Sequence, residues 1–204
     1  MLLLVLPFIV LIRLAVWLHI HRELNGWVAL SGSVIATTLL MAIYFSFMYT
    51  KMTGRLGDWM GFKRRAYAAG FLVFAYTAYT LFYISGENVK HNDTRSEYLE
   101  LHPILRLSVS TLIILDRQLL ITDAGRLPED YAKMGLKSKK HSLHYIQSDG
   151  YTHALDVRTT GRSEWISTLV EFYFRIMGFN TIRHVGTADH LHVSLMVHDK
   201  PWAQ

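Results

Sequence analysis

The stretch SLHYIQSDGYTHALD, residues 142–156, decides how the second half of the chain reads, together with TADHLHVSL, residues 187–195. Between them they carry His144, Asp156 and His192, nitrogen and oxygen donors of the kind that hold one zinc ion and leave a fourth position for water. Asp189 stands three residues before His192, where a carboxylate can take a proton from such a water. His153 lies in the same stretch and competes with His144 for one ligand position. In an extended strand His190 and His192 point to the same face, so His190 is either a second active-site group or a polar neighbour. His141, His184 and His198 read as solvated surface histidines.

The flanks predict mixed secondary structure around these donors. Pro103 opens a helical pattern over 101–115, with Ile104, Leu105, Leu107, Leu112 and Leu115 at helical spacing. Leu119 to Thr122 is a short apolar run broken by the turn Asp123-Ala124-Gly125-Arg126, and Pro128 to Met134 reads as a short helix stopped by Gly135. Ser163 is placed to cap a helix that runs to Met177 and stops at Gly178. Trp165, Ile166, Leu169, Val170, Phe172, Tyr173 and Ile176 form its apolar side. Thr181 to Val185 and His190 to Val197 read as further strands. The segment is therefore expected to be α+β, a small antiparallel sheet with helices and no βαβ periodicity.

The first 85 residues have a different character. Leu2 to Ile20 is interrupted only by Arg13, Trp27 to Tyr49 carries no charge, and a third apolar, aromatic-rich run covers Ala66 to Ile84. Each run approaches the roughly 20 residues that a helix needs to cross a bilayer core. Arg13 either lines a functional pathway or, the reading favoured by the lack of an acidic partner in the other runs, pairs with a neighbouring helix or snorkels. Seven Lys/Arg against two acids in this segment account for the whole formal net charge of +5, which leaves fourteen of each sign in residues 86–204. A charge-balanced second half removes the usual electrostatic support for nucleic-acid binding. Five of the seven basic residues fall between Lys51 and Arg65, and the positive-inside rule places that turn in the cytoplasm. Three crossings then put everything after Ser85 on the exterior face. The chain has no cysteine, which excludes disulfides and thiolate zinc sites. The expected organisation is a membrane segment at 1–85, a polar linker or surface helix at 86–100, and a domain at 101–204.

Four pieces in sequence, ITDAGR at 121–126, PEDYAKMG at 128–135, Ser142-x-His144 and Ala154-x-Asp156, are followed by Asp189-x-x-His192. In this order they resemble the zinc peptidases that cut peptidoglycan stem peptides, the D-alanyl-D-alanine carboxypeptidases and L-alanoyl-D-glutamate endolysins. The resemblance covers roughly residues 101–197 and none of the membrane segment. It implies the zinc DD-peptidase and hedgehog-like fold, Zn2+ as cofactor, and His144, Asp156 and His192 as ligands. It further implies Asp189 as general base, Arg126 on a substrate carboxylate or the developing oxyanion, and Ser142 as a supporting residue. The implied partners are peptidoglycan stem peptides and the lipid bilayer.

One departure concerns spacing. Lengthening the His-to-Asp loop from the family's usual interval of about seven residues to about twelve costs only about 0.5 kcal/mol of loop-closure entropy, so both ends can still reach one ion. The alternative to an enzyme is a non-catalytic membrane protein, holin-like or a scaffold, with a degenerate wall-binding domain. Metal content separates the two.

Overall fold

The computed structural model describes residues 2–90, 92–127, 129, 131, 135, 141–186 and 189–195. The chain divides into two compact units, Met1–Leu81 and Phe82–Gln204. Six helices and a four-stranded sheet make up the regular structure of the described residues.

The first unit is helical: α1 (Leu2–His21), α2 (Gly26–Thr53) and α3 (Trp59–Phe82). In α1, Leu11, Ile12, Ala15 and Val16 are buried, and in α2 the buried positions are largely small, Gly26, Ala29, Ser33 and Thr37 among them. Small residues let helix backbones approach closely, and α2 is in contact with α1. A methyl group added at Gly32 would meet Leu18 Cδ1 at 3.3 Å, so this face has little room for larger side chains. The buried hydroxyls of Ser33 and Thr77 donate to carbonyls within their own helices, Leu30 O at 2.7 Å and Val73 O at 2.8 Å, which satisfies them without water. At Gly54 the chain leaves α2 with φ 68°, a left-handed cap that favours glycine.

By length and composition, α2 is the one helix among the described residues long and apolar enough to cross a membrane. Its Ile35, Leu39, Ile43 and Phe47, one helical stripe, are all more than half exposed. Arg13 of α1 is exposed.

The second unit begins with a 3-10 turn, Gly86–Asn88, and α4 (Asn92–Glu100). Residues 86–100 therefore contribute to this unit's core: Asn88 donates to Arg117 O and Leu119 O, and Tyr98 is fully buried. Next come α5 (Pro103–Leu115), β1 (Ile121–Asp123), β2 (Ala154–Arg158), α6 (Glu164–Met177), β3 (Asn180–His184) and β4 (His190–Ser194). The sheet order is β1-β2-β4-β3, antiparallel throughout. The expected helix at 128–134 falls largely outside the described residues, as do the expected strand residues 196 and 197 and His198.

Strand alternation gives the sheet two chemical faces. Leu155, Val157, Leu191 and Val193 occupy one face and are buried. Asp156 and Arg158 of β2 stand opposite His192 and His190 of β4 on the other. The register slips between Ile121 and Asp123, which sets Asp123 opposite Asp156. A bulge of this kind re-aims one side chain, and here it brings a second carboxylate to the polar face.

In α6 the expected ends hold, with Ser163 Oγ accepting from Ile166 N and Gly178 closing the helix at φ 96°. The buried face differs from expectation. Ser167, Val170, Phe174 and Met177 are inside, while Trp165, Leu169, Phe172 and Ile176 are exposed. Apolar residues cover most of the helix circumference, so periodicity alone does not select the side that meets α5 and β3.

Candidate metal centre

The polar face of the sheet brings together the three donors that the sequence singles out. His144 Nε2 lies 3.2 Å from His192 Nδ1 and 3.4 Å from Asp156 Oδ1, and His192 Nδ1 lies 2.9 Å from the same oxygen. Ligand atoms around a tetrahedral zinc ion, each roughly 2.0–2.2 Å from the metal, are separated from one another by roughly 3.3 Å. The observed triangle has that size, so these residues fit the ion that the donor set implies. His144 and Asp156 are buried, whereas the His192 side chain is 19% exposed, so the open side of the triangle lies towards His192.

Each of the three donors is held by a different element. Asp156 is central in β2, and His192 is its cross-strand partner in β4. His144 comes from the loop before β2, where its N–H donates to Ser142 Oγ at 3.3 Å. Tyr131 Oη donates to the same Ser142 oxygen at 3.1 Å. Ser142 thus acts as a link between Tyr131 and the backbone of His144.

Behind the triangle lies a layer of charge. His144 Nδ1 faces Asp123 Oδ1 at 3.1 Å, an arrangement that leaves Nε2 to the metal position. Arg126 binds both carboxylates, with Nε 2.6 Å from Asp123 Oδ2 and Nη2 2.8 Å from Asp156 Oδ2. Its backbone N–H donates to His144 O at 3.0 Å. The two oxygens of Asp156 are therefore divided, Oδ1 to the imidazoles and Oδ2 to the guanidinium.

Burial works to lower the His144 pKa, but the charges and bonds of Asp156 and Asp123 outweigh it and push it up to about 9. Burial works to raise the Asp156 carboxyl, and the His144 charge, the bonds from His144 and His192, and Arg126 hold it well below the usual carboxylate range. Arg126 is also raised, since Asp123 and Asp156 outweigh its own desolvation. His144 and Arg126 thus each face both Asp123 and Asp156.

The remaining sequence candidates lie at the margin. His190 Nε2 is 3.8 Å from Asp156 Oδ2, on the same face as His192, and its ring stacks on His184 at 4.6 Å between centroids. β4 starts at His190, so Asp189 is free of the strand's alternation. The Asp189 carboxylate accepts from Gly186 N–H, and its carbonyl accepts from Thr159 N at 3.1 Å and Thr160 N at 3.3 Å. Asp189 is therefore engaged in the connection between β3 and β4. His153 is not part of this triangle; its Nε2 lies 2.9 Å from Asp149 Oδ2. Asp123 is the site residue that sequence reading missed, because its place depends on the bulge and on register with Asp156.

The chain matches no family model, no curated protein and no solved structure.

Proposed function

We propose that this chain is a membrane-anchored zinc hydrolase acting on peptide bonds of peptidoglycan stem peptides, with His144, Asp156 and His192 as ligands. The observation that carries the proposal is the triangle of donor atoms at 2.9, 3.2 and 3.4 Å, open on one side. The motif order from Ile121 to His192 supports the peptidase class, and with it the zinc DD-peptidase fold for the second unit.

His144, Asp156 and His192 would hold a zinc ion, which would supply a Lewis acid and acidify a water towards a pKa of about 7. The chain supplies the rest. Asp189, turning from Gly186 N–H towards the open side, accepts a proton and returns it to the leaving amine. His190, already on the site face, donates a hydrogen bond to negative charge developing on a carbonyl oxygen. Arg126 is occupied by two carboxylates, so its first task here is to position Asp156 and neutralise the pair. This modifies the oxyanion role implied by resemblance.

The same proposal extends to the membrane. The exposed apolar stripe of α2 and the exposed Phe71 and Phe74 of α3 support lipid contact by more than one helix of the first unit. Three crossings with the basic turn in the cytoplasm place the second unit outside, where wall peptides are found.

The test is digestion of purified peptidoglycan by the full chain, read as newly released amino groups. Activity is expected with zinc, lost on chelation, and lost in Asp189→Ala while zinc stays bound. Undiminished turnover in Asp189→Ala would remove it as the base, and metal-independent release would remove the hydrolase class proposed here. The engagement of Asp189 with Gly186 favours a second reading, a metal-holding wall-binding module without catalysis. That reading predicts bound zinc and retention on peptidoglycan with no release of amino groups.

A further inference from the structure

We propose that His102, Asp149 and His153 form a second site, structural in role, for a divalent transition-metal ion. The three residues each offer a ligand atom, all within 4.8 Å of one another. Asp149 Oδ2 is the point of convergence, 2.9 Å from His153 Nε2 and 3.9 Å from His102 Nε2. The imidazole centroids of His102 and His153 are 4.9 Å apart. An ion roughly 2.0–2.2 Å from each ligand needs donors roughly 3 to 4 Å apart, which these separations approach. Two imidazoles and one carboxylate select zinc or a neighbouring transition metal over magnesium or calcium, which take oxygen ligands.

The residues come from three places that the fold ties together. His102 caps α5, Asp149 sits in the turn at 148–150, and His153 leads into β2. His102 N donates to Thr152 O and Thr152 N donates to Glu100 O, both at 2.9 Å, so the start of α5 runs beside the end of the loop. Gly150, at φ 84°, donates to Gln147 O and closes the turn that presents Asp149. Asp149 Oδ1 accepts from Tyr151 N at 3.3 Å, and His153 Nε2 lies 3.0 Å from the same oxygen and 2.9 Å from Oδ2. Both histidines are fully buried, while the Asp149 side chain is 23% exposed and marks the side from which an ion enters. Asp149 and His153 sit in the interval between His144 and Asp156, and His102 reaches them from the start of α5. An ion there joins α5 to the loop whose other end holds His144.

The tautomer of His102 gives the site a signature. Ile104 N–H donates to His102 Nδ1 at 3.3 Å, which puts the proton of a neutral ring on Nε2 in the ion-free chain. Ligation through Nε2 moves that proton to Nδ1 and releases the cap. The loss of one cap bond is small beside the binding free energy of a structural zinc site.

The experiment is titration of Zn2+ into the metal-stripped full chain, with bound metal measured after dialysis and histidine tautomers followed by 15N NMR. The expected result is two ions per wild-type chain, one in Asp149→Asn, and a switch of His102 from the Nε2–H to the Nδ1–H form as zinc binds. The proposal is overturned if wild type and Asp149→Asn bind equal zinc and His102 keeps its tautomer at saturation. The tautomer reading uses wild-type protein and does not depend on the variant folding. Loss of an ion in His192→Ala reports on the other centre alone, so the two readings fail separately.

Discussion

Asp123 does as much to define the candidate metal centre as the three donors do. One of its oxygens faces His144 Nδ1 and the other binds Arg126 Nε, so one carboxylate orients an imidazole and anchors the guanidinium that holds Asp156. Partners of this kind contribute about 10- to 100-fold to metal affinity. Asp123→Asn is therefore expected to weaken zinc binding about 10- to 100-fold, measured by competition with a chromophoric chelator, while stoichiometry at saturation stays unchanged. Affinity equal to wild type would remove the orienting role. The choice between His144 and His153 was open in the sequence because both lie within reach of Asp156 along the chain. The fold separates them by pairing His153 with Asp149 and His144 with Asp156.

Among the elements, α4 and α5 show how a polar-looking segment becomes core. Gly86 to Glu100 is rich in charge, yet its Tyr98 is fully buried and donates to Arg106 O, with Ser110 Oγ also in contact. Burial outweighs the Ser110 bond and the Arg106 charge and raises the Tyr98 hydroxyl from 10.0 to about 12. A folded-state pKa above the unfolded one contributes stability that is fully present below about pH 10 and lost as pH rises towards 12. Urea unfolding between pH 9 and 12 is expected to show this loss, and Tyr98→Phe should flatten it; an unchanged slope in the variant would show that another group titrates. Helix ends were legible where the cap is local, at Ser163 and Gly178 of α6. The inward face of α6 was not legible, because Trp165, Leu169, Phe172 and Ile176 form an apolar stripe opposite Val170, Phe174 and Met177. Strand order β1-β2-β4-β3 and the bulge at Asp123 are likewise non-local, and only the partner strand fixes them.

For the whole molecule, the division into an apolar helical unit and a charge-balanced α+β unit follows the composition of the chain. The three apolar runs became three helices, but α2 alone among the described residues meets the length and hydropathy of a span. Topology is testable with little background, since the chain has no cysteine of its own. A thiol reagent that does not cross membranes is expected to label Gly86→Cys in intact cells and to label Arg55→Cys only after permeabilisation. Labelling of both from outside, or of neither, contradicts the proposed orientation. The claim on which the functional account rests is that residues 144, 156 and 192 share one ion. Its most direct measurement is the zinc content of the purified full chain beside that of His192→Ala, with folding checked by circular dichroism. The account predicts that the folded variant carries one zinc fewer per chain than wild type; equal zinc in the two proteins, or none in either, contradicts it.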